Sequence, residues 1–313
     1  MKLLRNLTLE ITNKCLQNCI HCSSASCSDS FEWLKYQQAM SIIHQACRLG
    51  LRRVSISGGE PFLHPQLDFL VQDMTKTYEL DVTVYSCGIV GNANCLESIS
   101  TERFLKLKKV GAKNIIFSLH GIGNVCDQMT DCENSFNLIA QSIKNAIEAE
   151  FKPELHFVPT TININDFQNV VEFVYNYGIR KISILRLVPQ GRATISLVPN
   201  GDEIVELLNN ADACCLKFPD LKIRKGHPWK VLVECNCDNT QCMAGEDKLV
   251  VMANGKVLPC EAFKFKFESA PIISDSNLQK IWDEDELLEK IRLLNLVKKE
   301  IIFEKQWRNG KNE

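Results

Sequence analysis

The chain predicts an α/β fold built on a parallel sheet. Short apolar runs alternate with helical stretches of about ten to fifteen residues, the connections are short, and the rhythm holds from residue 6 to residue 187. A strand–helix–strand unit of this kind crosses over right-handedly, and its sheet binds ligands beyond the carboxyl ends of its strands. Alternation alone fits a flat doubly wound sheet as well as a curved one.

The first strand is expected over residues 6–12, ahead of a cysteine-rich loop. Residues 36–49 place Ala39, Ile42, Ile43, Ala46 and Leu49 at helical spacing, and Gly50 stops the helix. Strands follow at 53–57, 82–85, 114–119, 154–159 and 181–187. The helices between and beyond them are expected at 67–78, 102–110, 135–150, 166–177 and 202–213. Six βα-type repeats result. Past Arg192 the rhythm changes: residues 221–233 hold strand-like pieces around His227-Pro228, and 278–303 keep helical apolar spacing. The expected division is 1–195, 196–275 and a C-terminal helix in 276–313.

At 313 residues the chain can bury a full α/β core plus a smaller appendage. Its 36 basic and 38 acidic residues give a net charge of −2 with no concentrated basic block, so nucleic acid is not an implied partner. No apolar stretch approaches the roughly 18 residues of a membrane span, and a cytoplasmic protein is expected. Fifteen cysteines would suggest disulfides in a small secreted protein. Here several are grouped like ligands, which points instead to metal centres in a reducing compartment.

The densest group is Cys15-Leu16-Gln17-Asn18-Cys19-Ile20-His21-Cys22. Thiolates are soft ligands for iron–sulfur clusters, zinc or copper(I), and a [4Fe–4S] cubane on three thiolates keeps one iron free of protein. Zinc remains an alternative, with Cys27 as a fourth thiol. Downstream, Ser57-Gly58-Gly59-Glu60-Pro61 follows the second strand. Its glycines allow a ligand to approach the backbone closely, and Glu60 can accept from an ammonium group.

CxxxCxxC after a first strand, with Gly-Gly-Glu after a second, resembles the radical S-adenosylmethionine (SAM) enzymes. The resemblance selects a partial (βα)6 TIM-like barrel. It implies that Cys15, Cys19 and Cys22 hold a [4Fe–4S] cluster and that Gly58, Gly59 and Glu60 seat SAM. It also implies reductive cleavage of SAM to a 5′-deoxyadenosyl radical, which abstracts hydrogen from a substrate. An electron donor such as flavodoxin or ferredoxin is then required.

A second constellation comprises Cys235, Cys237, Cys242 and Cys260. Between the last two, residues 248–259 carry two strand-like runs joined at Asn254-Gly255, a strong hairpin signal that folds Cys260 back toward Cys242. Zinc would use the same four thiolates. The run from Cys242 to Phe263 is similar to the start of the auxiliary-cluster domain of SPASM and twitch radical SAM enzymes. With no cysteine after Cys260, the shorter twitch-like form with one auxiliary [4Fe–4S] cluster is expected.

Four smaller features follow from the resemblance. Arg186 to Arg192 looks like the Pro-x-Gly-Arg turn of SPASM and twitch members, where Arg186 or Arg192 would bind a carboxylate of SAM or substrate. Ser86 and Ser118, at strand ends, are expected to line the SAM pocket. Beside them, Cys87 stands where relatives more often have Asn, and His120 where they have Asp. Cys214 and Cys215 are candidate hydrogen donors, as in radical SAM peptide epimerases; buried packing is the competing reading.

The expected substrate is a ribosomal peptide undergoing epimerisation or crosslinking. A sugar, nucleotide or cofactor precursor is the alternative, although the Gly-Gly terminus of the molybdopterin GTP cyclase is replaced here by Lys311-Asn312-Glu313. A non-catalytic zinc scaffold would require both thiol sets to bind zinc.

Overall fold

The computed structural model describes residues 2–225, 243–265, 270–274 and 276–293. In chain order the elements are β1 (Asn6–Thr12), α1 (Tyr36–Arg48), β2 (Arg53–Gly58), α2 (Leu67–Lys76), β3 (Asp81–Ser86), β4 (Ile89–Asn92), β5 (Cys95–Ser98) and α3 (Thr101–Lys109). They continue with β6 (Asn114–Ser118), α4 (Asn124–Thr130), α5 (Ser135–Glu148), β7 (Glu154–Phe157), α6 (Phe167–Asn176), β8 (Lys181–Ile184) and α7 (Gly201–Lys217). The chain closes with β9 (Lys222–Lys225), β10 (Lys248–Val251), β11 (Val257–Leu258), α8 (Leu278–Glu284) and α9 (Glu286–Leu293).

All six predicted strands and their helices are present, most with ends shifted by one to three residues. Two elements were not anticipated: the β4–β5 hairpin and the short helix α4. The predicted C-terminal helix is broken at Asp285, whose extended backbone (ψ 124°) separates α8 from α9.

The described strands form a nine-stranded sheet in the order β11-β10-β1-β2-β3-β6-β7-β8-β9, with β4–β5 apart. Every pairing in it is parallel except β10–β11. Among the described residues β9 and β11 do not pair with each other, so the barrel is open on that side. The predicted 248–259 hairpin exists as β10–β11, and it docks on β1 with Asn6 opposite Lys248, continuing the barrel's own sheet.

Side-chain alternation divides the strands into two faces. Leu7, Leu9, Ile11, Val54, Ile56, Val82, Val84, Ile115, Phe117, Leu155 and Phe157 are buried in the main hydrophobic core. The alternate positions carry Thr8, Glu10, Ser55, Ser57, Tyr85, Ser118 and His156. Parallel strands covered on both faces are ordinarily apolar throughout, so a polar inner face marks an interior built for a ligand.

Candidate active site

One cavity of about 420 Å³ occupies that interior, lined by Cys15, Cys19 and Cys22 together with Gly58, Gly59, Cys87, Ser118, His120, His156, Arg186, Arg224, Lys248 and Glu261. The cysteine triad leaves β1 at its carboxyl end and is clamped from three sides. Gly59 N–H donates to the Thr12 carbonyl at 2.7 Å and Glu60 N–H to the Lys14 carbonyl at 2.8 Å. Asn18 and Ile20 N–H donate to the Thr130 and Met129 carbonyls at the end of α4, each at 3.1 Å. Arg192 completes the clamp: its backbone N–H donates to the Cys22 carbonyl at 3.1 Å and its Nε to the Cys19 carbonyl at 2.9 Å.

The Pro-x-Gly-Arg turn therefore holds the cysteine loop. Of the two arginines expected as carboxylate binders, Arg186 or Arg192, Arg192 stands outside the cavity lining and donates through Nε to a carbonyl of that loop. Gly191 is needed because a Cβ there would lie 2.5 Å from the Cys22 carbonyl oxygen, at φ +65°.

Glu60 and Ser86 likewise brace the cavity without lining it. Glu60 is fully buried; Oε1 accepts from Phe62 N–H at 3.0 Å, and Oε2 accepts from the Ser86 hydroxyl at 2.9 Å and Cys87 N–H at 2.7 Å. Burial raises its pKa, and these donors work against that rise by favouring the carboxylate. Its side chain ties the turn after β2 to the end of β3, a role in place of the expected contact with SAM's amine. Gly58, Gly59, Ser118 and Arg186 do line the cavity. Burial lowers the pKa of Arg186 to about 10.

Cys214 and Cys215 lie on α7, outside the cavity lining. Cys214 is 5 % exposed and belongs to the main apolar core, where it acts as a small hydrophobe. For Cys214 the packing reading replaces the hydrogen-donor expectation; Cys215 is half-buried on the same helix and lies outside the cavity lining as well. Cys260 is described, next to Glu261 at the cavity wall; Cys235, Cys237 and Cys242 lie outside the described residues.

Sequence reasoning missed Gln17, His21 and Gln190. Each lines the cavity and presents a buried polar atom with no protein partner among the described residues: Gln17 Nε2, His21 Nδ1 and Gln190 Oε1. Unsatisfied buried polar atoms are costly, so their convergence on one space fits a polar occupant. Position inside the two motifs was the available signal. His21 and His120 pack edge to face at 4.3 Å. Burial lowers the His21 pKa to about 4, and burial, then His21 and His156, pushes His120 well below the usual range. Both imidazoles are neutral, and because His120 Nδ1 accepts from Val158 N–H at 3.1 Å its proton is on Nε2.

Among the described residues no set of three His, Cys, Asp or Glu side chains is spaced to hold a single metal ion. Cys15, Cys19 and Cys22 nevertheless share the cavity. In a cubane each thiolate binds its own iron, so such a triad suits a cluster better than zinc.

Two ion pairs line the inner wall. Lys264 pairs with Glu10, both 5 % exposed, and donates to the Ser24 hydroxyl at 2.6 Å. Lys248 Nζ lies 2.7 Å from Glu261 Oε1, which also accepts from Thr8. Burial alone would raise the pKa of Glu261; the Lys248 ammonium and these hydrogen bonds more than offset that and leave it at about 2. Its folded pKa is thus depressed below the ordinary 4.5, so its contribution to stability is present above pH 4.5 and lost as pH falls towards 2. Glu261→Gln is expected to flatten the acid limb of a stability-versus-pH curve in that window. Urea midpoints between pH 2 and pH 5 check this, and an unchanged acid limb would refute it.

The radical SAM superfamily model matches residues 9–174, and an iron–sulfur cluster-binding domain model, SPASM, matches residues 242–306. An open parallel barrel with three cysteines clustered beyond its first strand defines the class of enzyme, and the first match covers more than half of the chain. The chain belongs to the radical SAM superfamily and carries a SPASM-type cluster-binding domain; its cofactors are [4Fe–4S] clusters and SAM.

Mycofactocin maturase MftC of Mycobacterium tuberculosis is 24 % identical over 296 residues, covering 91 % of this chain and 72 % of that protein. The probable GTP 3′,8-cyclase of Sulfurisphaera tokodaii is 24 % identical over 189 residues, 60 % of this chain. The chain matches only 58 % and 60 % of the length of two such cyclases, the second from Methanocaldococcus jannaschii. Among solved structures, Streptococcus suis SuiB bound to S-adenosylmethionine superposes with a TM-score of 0.75 at 18 % identity, covering 94 % of this chain and 68 % of SuiB. The structure of anSMEcpe with AdoMet and the Cp18Cys peptide gives 0.70 at 14 % identity, with 91 % and 81 % covered. Among the described residues no helix is long and apolar enough to cross a membrane.

Proposed function

We propose that this radical SAM enzyme modifies a ribosomal peptide, by epimerisation or crosslinking. The observation that carries the reading is the single cavity running from the cysteine triad to Arg224 and Lys248, on strands that flank the open side of the sheet. An open-sided barrel accepts an extended chain without closing around it. The MftC and SuiB likenesses extend over more than nine-tenths of the chain, and a SuiB structure contains its precursor peptide SuiA.

In this reading Cys15, Cys19 and Cys22 hold the catalytic cluster, and Cys260 with Cys235, Cys237 and Cys242 holds the auxiliary one. Gly58, Gly59, Ser118 and Arg186 bound the space for SAM. The bound cluster and SAM supply one-electron chemistry that removes a hydrogen atom from the substrate. The chain's own residues orient and seclude: Arg192, Glu60 and the end of α4 fix the cysteine loop, and neutral His120 presents Nε2–H. A flavodoxin or ferredoxin provides the electron. Among the described residues no two cysteines form a disulfide, in keeping with a cytoplasmic, reducing setting.

The test uses anaerobically reconstituted protein with dithionite and SAM, assayed for 5′-deoxyadenosine. A short peptide encoded beside the gene is expected to stimulate release and to change in mass or chirality. Stimulation by GTP, with no effect of peptide, would replace this reading with the cyclase-like one.

A further inference from the structure

Resting on the reading above, we propose that Arg224 anchors a carboxylate of the substrate, from an acidic side chain or a peptide terminus, on the wall of the cavity formed by the last strand of the sheet. Arg224 is on β9, six strands along the sheet from β1, and lines the same cavity as the triad. The pairing register sets His156, Ser183 and Arg224 side by side across β7, β8 and β9. Arg224 Nε donates to the Ser183 hydroxyl at 3.2 Å, which orients the guanidinium. Its two terminal nitrogens have no partner among the described residues. A planar fork held at one nitrogen and open at the others is suited to bidentate capture of a carboxylate.

Charge supports an anionic guest. Among the described residues, Arg224, Lys248 and Lys264 line the cavity with two carboxylates, Glu10 and Glu261, and each carboxylate is paired with a lysine. Around His156 the charged groups among the described residues are Arg224, Lys248 and Glu261, a sum of +1. A single carboxylate balances that sum, whereas a polyphosphate would exceed it. His156 reports the same surroundings: burial, then Arg224, holds its pKa down to about 3. A carboxylate bound on Arg224 would raise that value.

The experiment uses reconstituted holoprotein saturated with SAM, so that SAM's own carboxylate is already in place. Calorimetric probes are N-acetyl-glutamate α-amide for the side chain, N-acetyl-leucine for the terminus, N-acetyl-glutamine amide as the neutral match, and tripolyphosphate. At least one carboxylate probe is expected to bind at least about tenfold more tightly than the neutral amide, with affinity falling as salt rises. Arg224→Gln should remove that preference and Arg224→Lys restore part of it, while thermal melts confirm that both variants fold.

Equal binding of the neutral amide, full carboxylate affinity in Arg224→Gln, or preference for tripolyphosphate would each overturn the proposal. Failure of the peptide reading shows separately, as 5′-deoxyadenosine release that no peptide stimulates. The calorimetry does not depend on that outcome.

Discussion

Cys19→Ala is expected to abolish reductive SAM cleavage while leaving the fold intact. The backbone around Cys19 is held by groups that the substitution does not touch: Asn18 and Ile20 N–H on the end of α4, and Arg192 Nε on the Cys19 carbonyl. Its thiol hydrogen bond, to Gln17 Oε1 at 3.7 Å, is long and weak. Apo-protein stability should therefore change by no more than about 1 kcal/mol. A cluster deprived of one of three thiolates is a different matter. Losing only a neighbour that hydrogen-bonds a ligand typically costs about 10- to 100-fold in metal affinity or activity, and losing the ligand itself should cost more. Iron, acid-labile sulfide and 5′-deoxyadenosine should fall together, the last by more than about a hundredfold. Cleavage that persists in Cys19→Ala, with iron retained, would remove the triad from the active site.

The parts of this molecule that were legible in the sequence were those governed by local rules. Strand and helix positions followed from apolar periodicity, and Gly50, Gly111 and Gly178 marked helix ends as expected, each with positive φ. The hairpin at Asn254-Gly255 also formed, because turn chemistry is local. Its docking was not legible: nothing in residues 248–251 specifies that they lie parallel to β1, some 240 residues earlier in the chain. The β4–β5 hairpin was missed because its four-residue strands are too short for alternation to register.

At the site, motif spacing identified the residues but not the direction in which each one works. Glu60 was read as facing a ligand, whereas its two oxygens are taken by Phe62, Ser86 and Cys87. Arg192, read as the alternative to Arg186 for binding a carboxylate, stands outside the cavity lining and is tied to the cysteine loop. A polar residue inside a motif has two ways to matter, by touching the ligand or by fixing what touches it, and only coordinates separate them. Cys214 illustrates the converse, since an adjacent pair of thiols suggested chemistry where helix α7 required only a small apolar group.

The same distinction gives the second large effect. Gly59→Ala is expected to destabilise the protein before any ligand is bound. An added Cβ would stand 2.1 Å from the Lys14 carbonyl oxygen and 2.5 Å from its carbon, both backbone atoms that no side-chain rotation can move aside. Gly58 is similarly constrained, with a Cβ 2.2 Å from the Thr12 carbonyl oxygen at φ +132°. The glycine pair thus lets the turn after β2 lie directly on residues 12–14, the segment that delivers Cys15. Relieving the clash means breaking the 2.7 Å and 2.8 Å hydrogen bonds that join the two segments. The cost should reach the top of the range for overpacking, about 3 kcal/mol. In a chain of this size that corresponds to a fall in melting temperature of about 4 to 5 °C. Gly201→Ala is the control, since a Cβ there meets nothing within 4 Å and the substitution should be neutral or slightly stabilising. Thermal melts of the two apo variants, followed by iron counts after reconstitution, test the argument. If Gly59→Ala melts like the parent and loses only SAM cleavage, the glycines serve ligand approach alone and the backbone-packing account is wrong.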